Sequence, residues 1–206
     1  MSACNAIIKD DLKLLCRMMA PTVSYPFIMQ LVKATIEKES LIGEVHLILL
    51  SIESFLVRRS VCGIEPTGLH ALFKSLWNEL SGNISFENFR AAVSCHSTVM
   101  WPDDSMFEIS FKHKNLYDVR ITSYILEEWN KHLGGDVIKL TKQEIEHVLP
   151  ERPAEDSQWN KDWSKAMQKE HKNCIANLLP ISKSLNSSIQ NSDYANKRQC
   201  YIDDSA

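Results

Sequence analysis

The sequence predicts an α+β fold that is mostly α, with an N-terminal helical bundle followed by a small ββα finger. Two observations predict it. Apolar residues recur at spacings of three and four from about Asn5 to His132, as expected for amphipathic helices. After Gly134-Gly135 the period shortens to that of short strands. We therefore place a helical domain at residues 1–133 and a second domain at residues 134–206.

The helices of the first domain are predicted from apolar runs between helix breakers. One run extends from Ile7 to Met19, a second from Phe27 to Ile36, and the strongest from Ile42 to Val57. Ser85, with Asn88 three residues later, has the pattern of a helix start. Proline or glycine interrupts the helical pattern at Pro21, Gly63, Pro66, Gly68, Gly82 and Pro102. The simplest interpretation of this half is a helical bundle without chemistry of its own.

The second domain alternates short strands with helices. Two strands are predicted at about Val137–Leu140 and Ile145–Leu149, joined near Thr141-Gln143. The segments that follow are a helix from Gln158 to Lys172, a strand from Ile175 to Ile181, and helices from Leu185 to Ile189 and Tyr194 to Tyr201. The order strand, insertion, strand, helix fits a ββα finger.

Charge and cysteine usage exclude two classes of function. With a formal net charge of −3 over 206 residues, the chain is unlike proteins whose whole surface coats nucleic acid, since those are basic. Any DNA binding must come from a local patch. The six cysteines form no C-x-x-C pair, which excludes a zinc-stapled finger and predicts buried or incidental thiols.

The sequence carries no evident membrane or export signal. No apolar stretch approaches the roughly 20 residues that cross a bilayer, and the longest, near Leu47–Leu50, is interrupted by Glu44, His46 and Glu53. Met1 is not followed by the basic and apolar regions of a signal peptide. We expect a soluble, cytoplasmic chain with no membrane partner.

The residues that point to a chemistry are Glu146-His147, Asn177 and Asn186. Histidine suits the activation of water because its pKa lies near neutrality. A carboxylate and an amide oxygen are ligands that Mg²⁺ prefers. Adjacent strand residues point to opposite faces, so both members of the pair serve one site only if the strand ends there, and Pro150 favours such an end. Taken alone, His147 is more often a satisfied histidine at a strand end, and each asparagine is an ordinary cap or turn residue.

These residues belong to a set of motifs that resembles one family. The motifs are Ile145-Glu146-His147-Val148-Leu149-Pro150, Ile175-Ala176-Asn177-Leu178-Leu179, Leu185-Asn186-Ser187, and Asn191-Ser192-Asp193-Tyr194 with Lys197-Arg198. Together they resemble the C-terminal HNH-like (ββα-metal) domain of GmrSD-type restriction endonucleases, which act on modified DNA. The helical segment that precedes it resembles the one found before that domain in these proteins.

The resemblance implies a role for each matched residue. His147 looks like the general base, Glu146 and Asn186 look like ligands of a divalent cation (Mg²⁺ or Mn²⁺), and Asn177 resembles the residue that orients the histidine ring. Lys197 stands where the family keeps a lysine, which we expect to face a phosphate. The sequence departs from the family pattern at Ala176, at Leu179-Pro180 and at Glu151, without removing a proposed catalytic group. The resemblance also implies a ParB-like nucleotide-dependent domain or subunit as a partner.

A row of basic residues is the candidate DNA-binding surface. Lys161, Lys165, Lys169 and Lys172 fall at spacings of four, four and three, which places them on one face of the predicted helix. Lys183 and Arg198 lie nearby in sequence. Such a row can follow a phosphate backbone, although a solvated helix face gives the same pattern. Trp159 and Trp163 are predicted as core anchors more readily than as base-stacking residues.

Two hypotheses of function remain open from the sequence. In the first, the chain is a divalent-metal-dependent DNA endonuclease that hydrolyses phosphodiester bonds, in the restriction of modified foreign DNA. In the second, it is a catalytically degenerate or silent interaction module that docks onto the nucleotide-dependent ParB-like partner subunit. Metal-dependent cleavage that requires His147 separates the two.

Overall fold

The computed structural model describes the backbone of residues 3–135 and 144–204, and the side chains of residues 6–135 and 144–203. The helices are α1 (Ala3–Arg17), α2 (Tyr25–Glu37), α3 (Ile42–Val61), α4 (Leu69–Leu80), α5 (Phe86–Cys95), α6 (Asp104–His113), α7 (Thr122–His132), α8 (Gln158–Asp162), α9 (Lys165–His171), α10 (Lys183–Ile189) and α11 (Tyr194–Asp204). The strands β1 (Ile145–His147) and β2 (Leu178–Pro180) form a two-stranded antiparallel sheet. The predicted α+β, mostly α class is confirmed.

The chain divides into two compact units, Met1–Asp104 and Ser105–Ala206. We call them the N-terminal unit and the C-terminal unit. The sequence predicts a functional boundary at Gly134-Gly135 instead. Residues 136–143, which follow that boundary and include the strand predicted at Val137–Leu140, lie outside the described residues, so this boundary stays a prediction.

The N-terminal unit is a helical bundle with an apolar core. Helix α3 packs against α1, α2 and α5, and α4 packs against α2 and α5. At the centre, Phe27 lies 6.3 Å from Phe73 and 6.2 Å from Phe89 between ring centroids. Burying each such side chain contributes about 1.5–3 kcal/mol. The predicted helix start at Ser85 is confirmed, since its hydroxyl accepts a hydrogen bond from the Asn88 amide of α5.

One apolar segment differs from the sequence-based expectation. Glu39–Val61 is long and apolar enough to cross a membrane by length and composition, so the expectation that no stretch approaches this length is wrong. The core helix of a soluble protein passes the same test. Three side chains of α3, those of Val45, Ile48 and Ile52, are 0% exposed in the helical core, and the apolar composition of α3 matches this position.

The C-terminal unit is built around the small sheet. Its register pairs Ile145 with Pro180, Glu146 with Leu179 and His147 with Leu178. Beneath the strands, Leu126 of α7 packs with Ile145 and Leu178 in a small apolar cluster. This cluster anchors β1 and β2 on α7 and fixes the position of the Glu146-His147 pair.

Two predicted elements of the C-terminal unit have different bounds in the structure. The helix predicted from Gln158 to Lys172 is broken into α8 and α9, because Trp163 is extended (φ −122°, ψ 120°) and Ser164 caps α9 by accepting from the Met167 amide. The strand predicted from Ile175 is a 3-10 turn, Ile175–Asn177, before β2 begins. The helices predicted near α10 and α11 are confirmed.

Candidate functional site

Glu146 and His147 are buried side by side at the end of β1. They are 4% and 7% exposed. Strand β1 ends at His147, and the chain bends at Val148. Glu146, His147 and Asn186 of α10 all line one cavity of about 590 Å³. The structure therefore brings together the three residues that the sequence proposes as general base and cation ligands.

The imidazole of His147 is held on two sides. Its Nε2 lies 3.0 Å from Asn173 Oδ1, and its ring centroid lies 4.2 Å from that of Tyr117, with the planes at 60°. An amide oxygen only accepts hydrogen bonds, so neutral His147 carries its proton on Nε2 and its lone pair on Nδ1. Among the described residues, none donates a hydrogen bond to this Nδ1.

The surroundings of His147 keep its imidazole neutral. Burial lowers the pKa of His147 below its ordinary value of 6.5, against the opposing effects of the Asn173 hydrogen bond and the Glu151 and Glu146 carboxylates. A base that activates water must be unprotonated when it acts. His147 therefore meets this requirement at neutral pH.

Asn173 is the site residue that the motif does not contain. It follows α9, and its own carbonyl accepts a hydrogen bond from the amide of Leu116, a residue that is 0% exposed. The side chain is thus presented to His147 from an anchored backbone. In sequence, Asn173 is an ordinary residue after a helix, and only its distance to His147 in the fold reveals it.

Asn177 contacts backbone rather than the histidine ring. Its Oδ1 accepts from the Leu149 amide at 2.6 Å, and its Nδ2 donates to the carbonyls of Leu149 at 3.0 Å and Lys172 at 2.7 Å. This corrects the expectation that Asn177 orients His147, because Asn173 occupies that place. Asn177 instead holds the bend that ends β1.

Glu146 is held by two donors from α11. Lys197 Nζ donates to Glu146 Oε1, and the Tyr201 hydroxyl donates to the same oxygen at 3.2 Å. Burial, with the neighbouring Glu146 carboxylate, raises the pKa of Tyr201 well above its ordinary value of 10.0, so the phenol stays protonated and donates. Among the described residues, no hydrogen-bond donor reaches Glu146 Oε2.

Lys197 is enclosed rather than presented to a phosphate. Its side chain is 0% exposed, and its ammonium also donates to the His147 carbonyl at 2.7 Å. Burial lowers the pKa of Lys197, and the Glu146 carboxylate opposes that change. This geometry differs from the expectation that Lys197 faces a phosphate, because the ammonium is turned inward onto the Glu146-His147 pair.

The two proposed cation ligands at the cavity are oxygen donors. In residues 6–135 and 144–203, no group of three or more His, Cys, Asp or Glu side chains converges as a metal site. Glu146 and Asn186 both line the cavity, and Asn186 Nδ2 lies 3.4 Å from the Ile145 carbonyl, which ties α10 to β1. Two oxygen ligands suit Mg²⁺ or Mn²⁺, since such cations keep several waters.

The basic residues proposed for DNA binding do not share one helix. Lys161 lies on α8, Lys165 and Lys169 lie on α9, and Lys172 follows it, so the predicted single face is interrupted at Trp163-Ser164. All of them except the half-buried Lys172 are exposed, as are Lys183 and Arg198. Their role in DNA binding stays a prediction.

Trp159 behaves as a core anchor. It is 7% exposed, its Nε1 donates to the Ser192 carbonyl at 3.0 Å, and its ring contacts that of Tyr194 edge-on. Trp163 is half-buried against His171. The preference for core anchoring over base stacking matches this packing.

A family model is similar to the half of the chain that contains this site. The C-terminal domain of the GmrSD restriction endonucleases matches residues 101–206. The matched range includes α6 to α11, both strands and every residue of the cavity described above. Searches of curated proteins and of solved structures find no match.

Proposed function

The chain belongs to the family of the GmrSD restriction endonuclease C-terminal domain, and on that premise we propose that it is a divalent-metal-dependent DNA endonuclease. It hydrolyses phosphodiester bonds, in the restriction of modified foreign DNA. The observation that carries the proposal is the neutral His147, held by Asn173 in the same cavity as Glu146 and Asn186.

His147 acts as the general base. The Nδ1 lone pair takes a proton from a water molecule while the water oxygen forms a bond to phosphorus. The bond from phosphorus to the leaving deoxyribose oxygen breaks, and that oxygen takes a proton from a solvent water. Asn173 holds the Nε2 proton, so the imidazole keeps the tautomer that presents Nδ1. A positioned base of this kind contributes about 10²–10⁴-fold in rate.

Glu146 and Asn186 are the residues that would hold the cation. The fit rests on their chemistry: a carboxylate and an amide supply hard oxygens, and both residues line the cavity that His147 also lines. When bound, Mg²⁺ or Mn²⁺ stabilises the charge that develops on the phosphate and leaving oxygens. Lys197 and Tyr201 hold Glu146 in place by donating hydrogen bonds to its Oε1.

We assign β1, β2 and α10 to the ββα finger of an HNH-type site, with α8 and α9 as the insertion between the strands. The assignment is supported by the antiparallel pairing of β1 with β2 and by the position of Asn186 on α10 at the cavity. The exposed basic residues of this half form the proposed DNA-binding surface. Because the net charge is −3, this local patch has to supply the phosphate contacts.

Nicking of supercoiled DNA tests this function. The 206-residue chain is incubated with unmodified and base-modified DNA in Mg²⁺ or Mn²⁺, with and without a ParB-like partner domain. We expect nicks that disappear in excess EDTA and in Glu146→Gln, and that persist in the matched control Glu155→Gln, since Glu155 is exposed and outside the cavity. Cleavage that continues in EDTA, or that survives Glu146→Gln, would contradict a metal mechanism at this site.

A specific observation favours the second candidate, an interaction module that docks onto a ParB-like nucleotide-dependent partner. Helix α2 exposes Tyr25, Met29 and Ile36 by 41%, 70% and 77%, and their spacing places them on one face. Exposed apolar faces of this kind mark partner surfaces. In this case no metal supports cleavage, and binding of the partner in sedimentation experiments is lost in Ile36→Asp but kept in His147→Ala.

A further inference from the structure

The two oxygens of the Glu146 carboxylate have different surroundings. Oε1 accepts hydrogen bonds from the Lys197 ammonium and from the Tyr201 hydroxyl. Among the described residues, Oε2 accepts none, and Glu146 is one of the residues that line the cavity beside His147. One carboxylate oxygen is therefore hydrogen-bonded within the protein, and the other accepts no hydrogen bond from the described residues.

The hydrogen bond from Lys197 to Oε1 is firmly held, because Lys197 is buried and also bonded to the backbone. The Lys197 side chain is 0% exposed, and the same ammonium donates to the His147 carbonyl at 2.7 Å. Hydrogen bonds between an ammonium and a carboxylate are about twice as strong as neutral ones. If Oε1 moved away, the buried Lys197 ammonium would lose the carboxylate that balances its charge and would keep the His147 carbonyl.

Cations differ in how many carboxylate oxygens they take. Ca²⁺ accepts six to eight oxygens in flexible geometry and commonly takes both oxygens of one carboxylate, whereas Mg²⁺ takes six in near-ideal octahedral geometry and keeps several waters. A carboxylate that offers one oxygen thus disfavours Ca²⁺ more than Mg²⁺ or Mn²⁺.

We propose that Lys197 and Tyr201 are positioning residues that restrict Glu146 to one-oxygen coordination and so select a small octahedral cation over Ca²⁺. The inference rests on the proposed cation site at Glu146 and Asn186. It assigns to the motif lysine a role in choosing the cation, in place of contact with a phosphate.

Competition between Mn²⁺ and Ca²⁺ tests the inference without an activity readout. The paramagnetic resonance signal of free Mn²⁺ gives the dissociation constant for Mn²⁺, and displacement by Ca²⁺ gives that for Ca²⁺. Lys197→Met frees Oε1, so we expect the ratio of Ca²⁺ to Mn²⁺ affinity to rise about tenfold. Taking the ratio removes the general gain in cation affinity that follows loss of a positive charge.

Tyr201→Phe keeps the inference testable if Lys197→Met does not fold. It removes only one donor to Oε1 without changing charge, and we expect the ratio to rise about threefold, since a neutral hydrogen bond is the weaker of the two. Tyr194→Phe is the matched control, because it makes the same change on α11 at a ring that contacts Trp159 rather than Glu146.

The outcomes separate this inference from the proposed function. If wild type binds no Mn²⁺, or if Glu146→Gln leaves Mn²⁺ binding unchanged, the cation site itself is refuted. If wild type binds Mn²⁺ through Glu146 but neither Lys197→Met nor Tyr201→Phe changes the ratio, only the selection by Lys197 and Tyr201 is refuted.

Discussion

The two units of the molecule bury different kinds of side chain. Of the twelve largest fully buried side chains in the described residues, only Leu116 and Lys197 lie in Ser105–Ala206, and the rest are apolar residues of the N-terminal unit. Among the side chains that the structure describes, each unit also buries one Lys or Arg. Arg59 donates to the backbone carbonyls of Met100 and Glu65, whereas Lys197 donates to a carboxylate beside the candidate base.

This difference shows that burial of side chains has two roles in one chain. In the N-terminal unit, apolar burial supplies stability and the guanidinium of Arg59 pins two loops. In the C-terminal unit, burial includes the charge pair of Lys197 and Glu146, and this pair positions Glu146. Buried ion pairs are weak sources of stability, so their presence next to His147 points to a functional use.

The largest effect is expected from breaking the buried pair. Lys197→Met leaves Glu146 buried without its cation, which should lower the free energy of unfolding by about 3–5 kcal/mol. Arg59→Met, which breaks hydrogen bonds to carbonyls and the cation–π contact with Phe55 but no ion pair with a buried carboxylate, should cost about 1–3 kcal/mol. Urea unfolding combined with amide exchange of β1 and α11 measures both, and a smaller cost for Lys197→Met than for Arg59→Met would contradict the comparison.

A second effect distinguishes the two asparagines. Asn173→Ala removes the acceptor that holds the Nε2 proton of His147, and we expect kcat to fall about 10–100-fold, as for other residues that orient a site histidine. Asn177→Ala removes three hydrogen bonds to backbone and should chiefly lower thermal stability. If both variants lose the same stability and keep the same activity, Asn173 has no role in orienting His147.

The pH dependence of cleavage follows from the lowered pKa of His147. Its base form is lost only below the ordinary value of 6.5, so the acid limb of log kcat should lie below pH 6.5. Asn173→Asp places a carboxylate at Nε2 and should move that limb to higher pH. A limb that stays in place in Asn173→Asp would argue against His147 as the titrating base.

The same shift has a consequence for stability. Because the pKa of His147 is lower in the folded chain than in the unfolded chain, the unfolded chain binds more protons between the two values. The contribution of His147 to stability is therefore complete above about pH 6.5 and declines as the pH falls through the folded-state value.

The smallest effects are expected at the exposed basic residues of the C-terminal unit. Replacing any one of six residues by alanine should reduce the slope of log K for DNA binding against log salt concentration by about one. The six residues are Lys161, Lys165, Lys169, Lys172, Lys183 and Arg198. Lys74→Ala, at an exposed lysine of the N-terminal unit, is the matched control. Binding titrations at several salt concentrations measure the slopes, and an unchanged slope in all six variants would place DNA elsewhere.

Much of the fold follows from local patterns in the sequence. The apolar spacing predicts α2 and α3, and the Ser85 cap predicts the start of α5. The break between α8 and α9 also has a local signal, because Ser164 is a capping residue, but the even spacing of lysines favours one continuous helix. The capping residue Ser164 therefore indicates the break between the two helices, whereas the lysine spacing wrongly indicates one helix.

The site is only partly predictable because its contacts are distant in sequence. The motif identifies Glu146, His147 and Asn186, which meet in one cavity. Asn173 and the burial of Lys197 depend on pairs separated by 26 and 51 residues, which no periodicity reveals. Lysine is also almost never fully buried, so a surface position is the natural expectation for Lys197.

The most direct test of the central claim is the effect of His147→Ala on single-turnover nicking of DNA in Mg²⁺ or Mn²⁺, in the presence of the ParB-like partner domain. His171→Ala is the matched control, since that imidazole contacts Trp163 outside the Glu146 cavity. Loss of a general base predicts a fall of about 10²–10⁴-fold in His147→Ala and near wild-type cleavage in His171→Ala. Undiminished cleavage by His147→Ala would contradict the account.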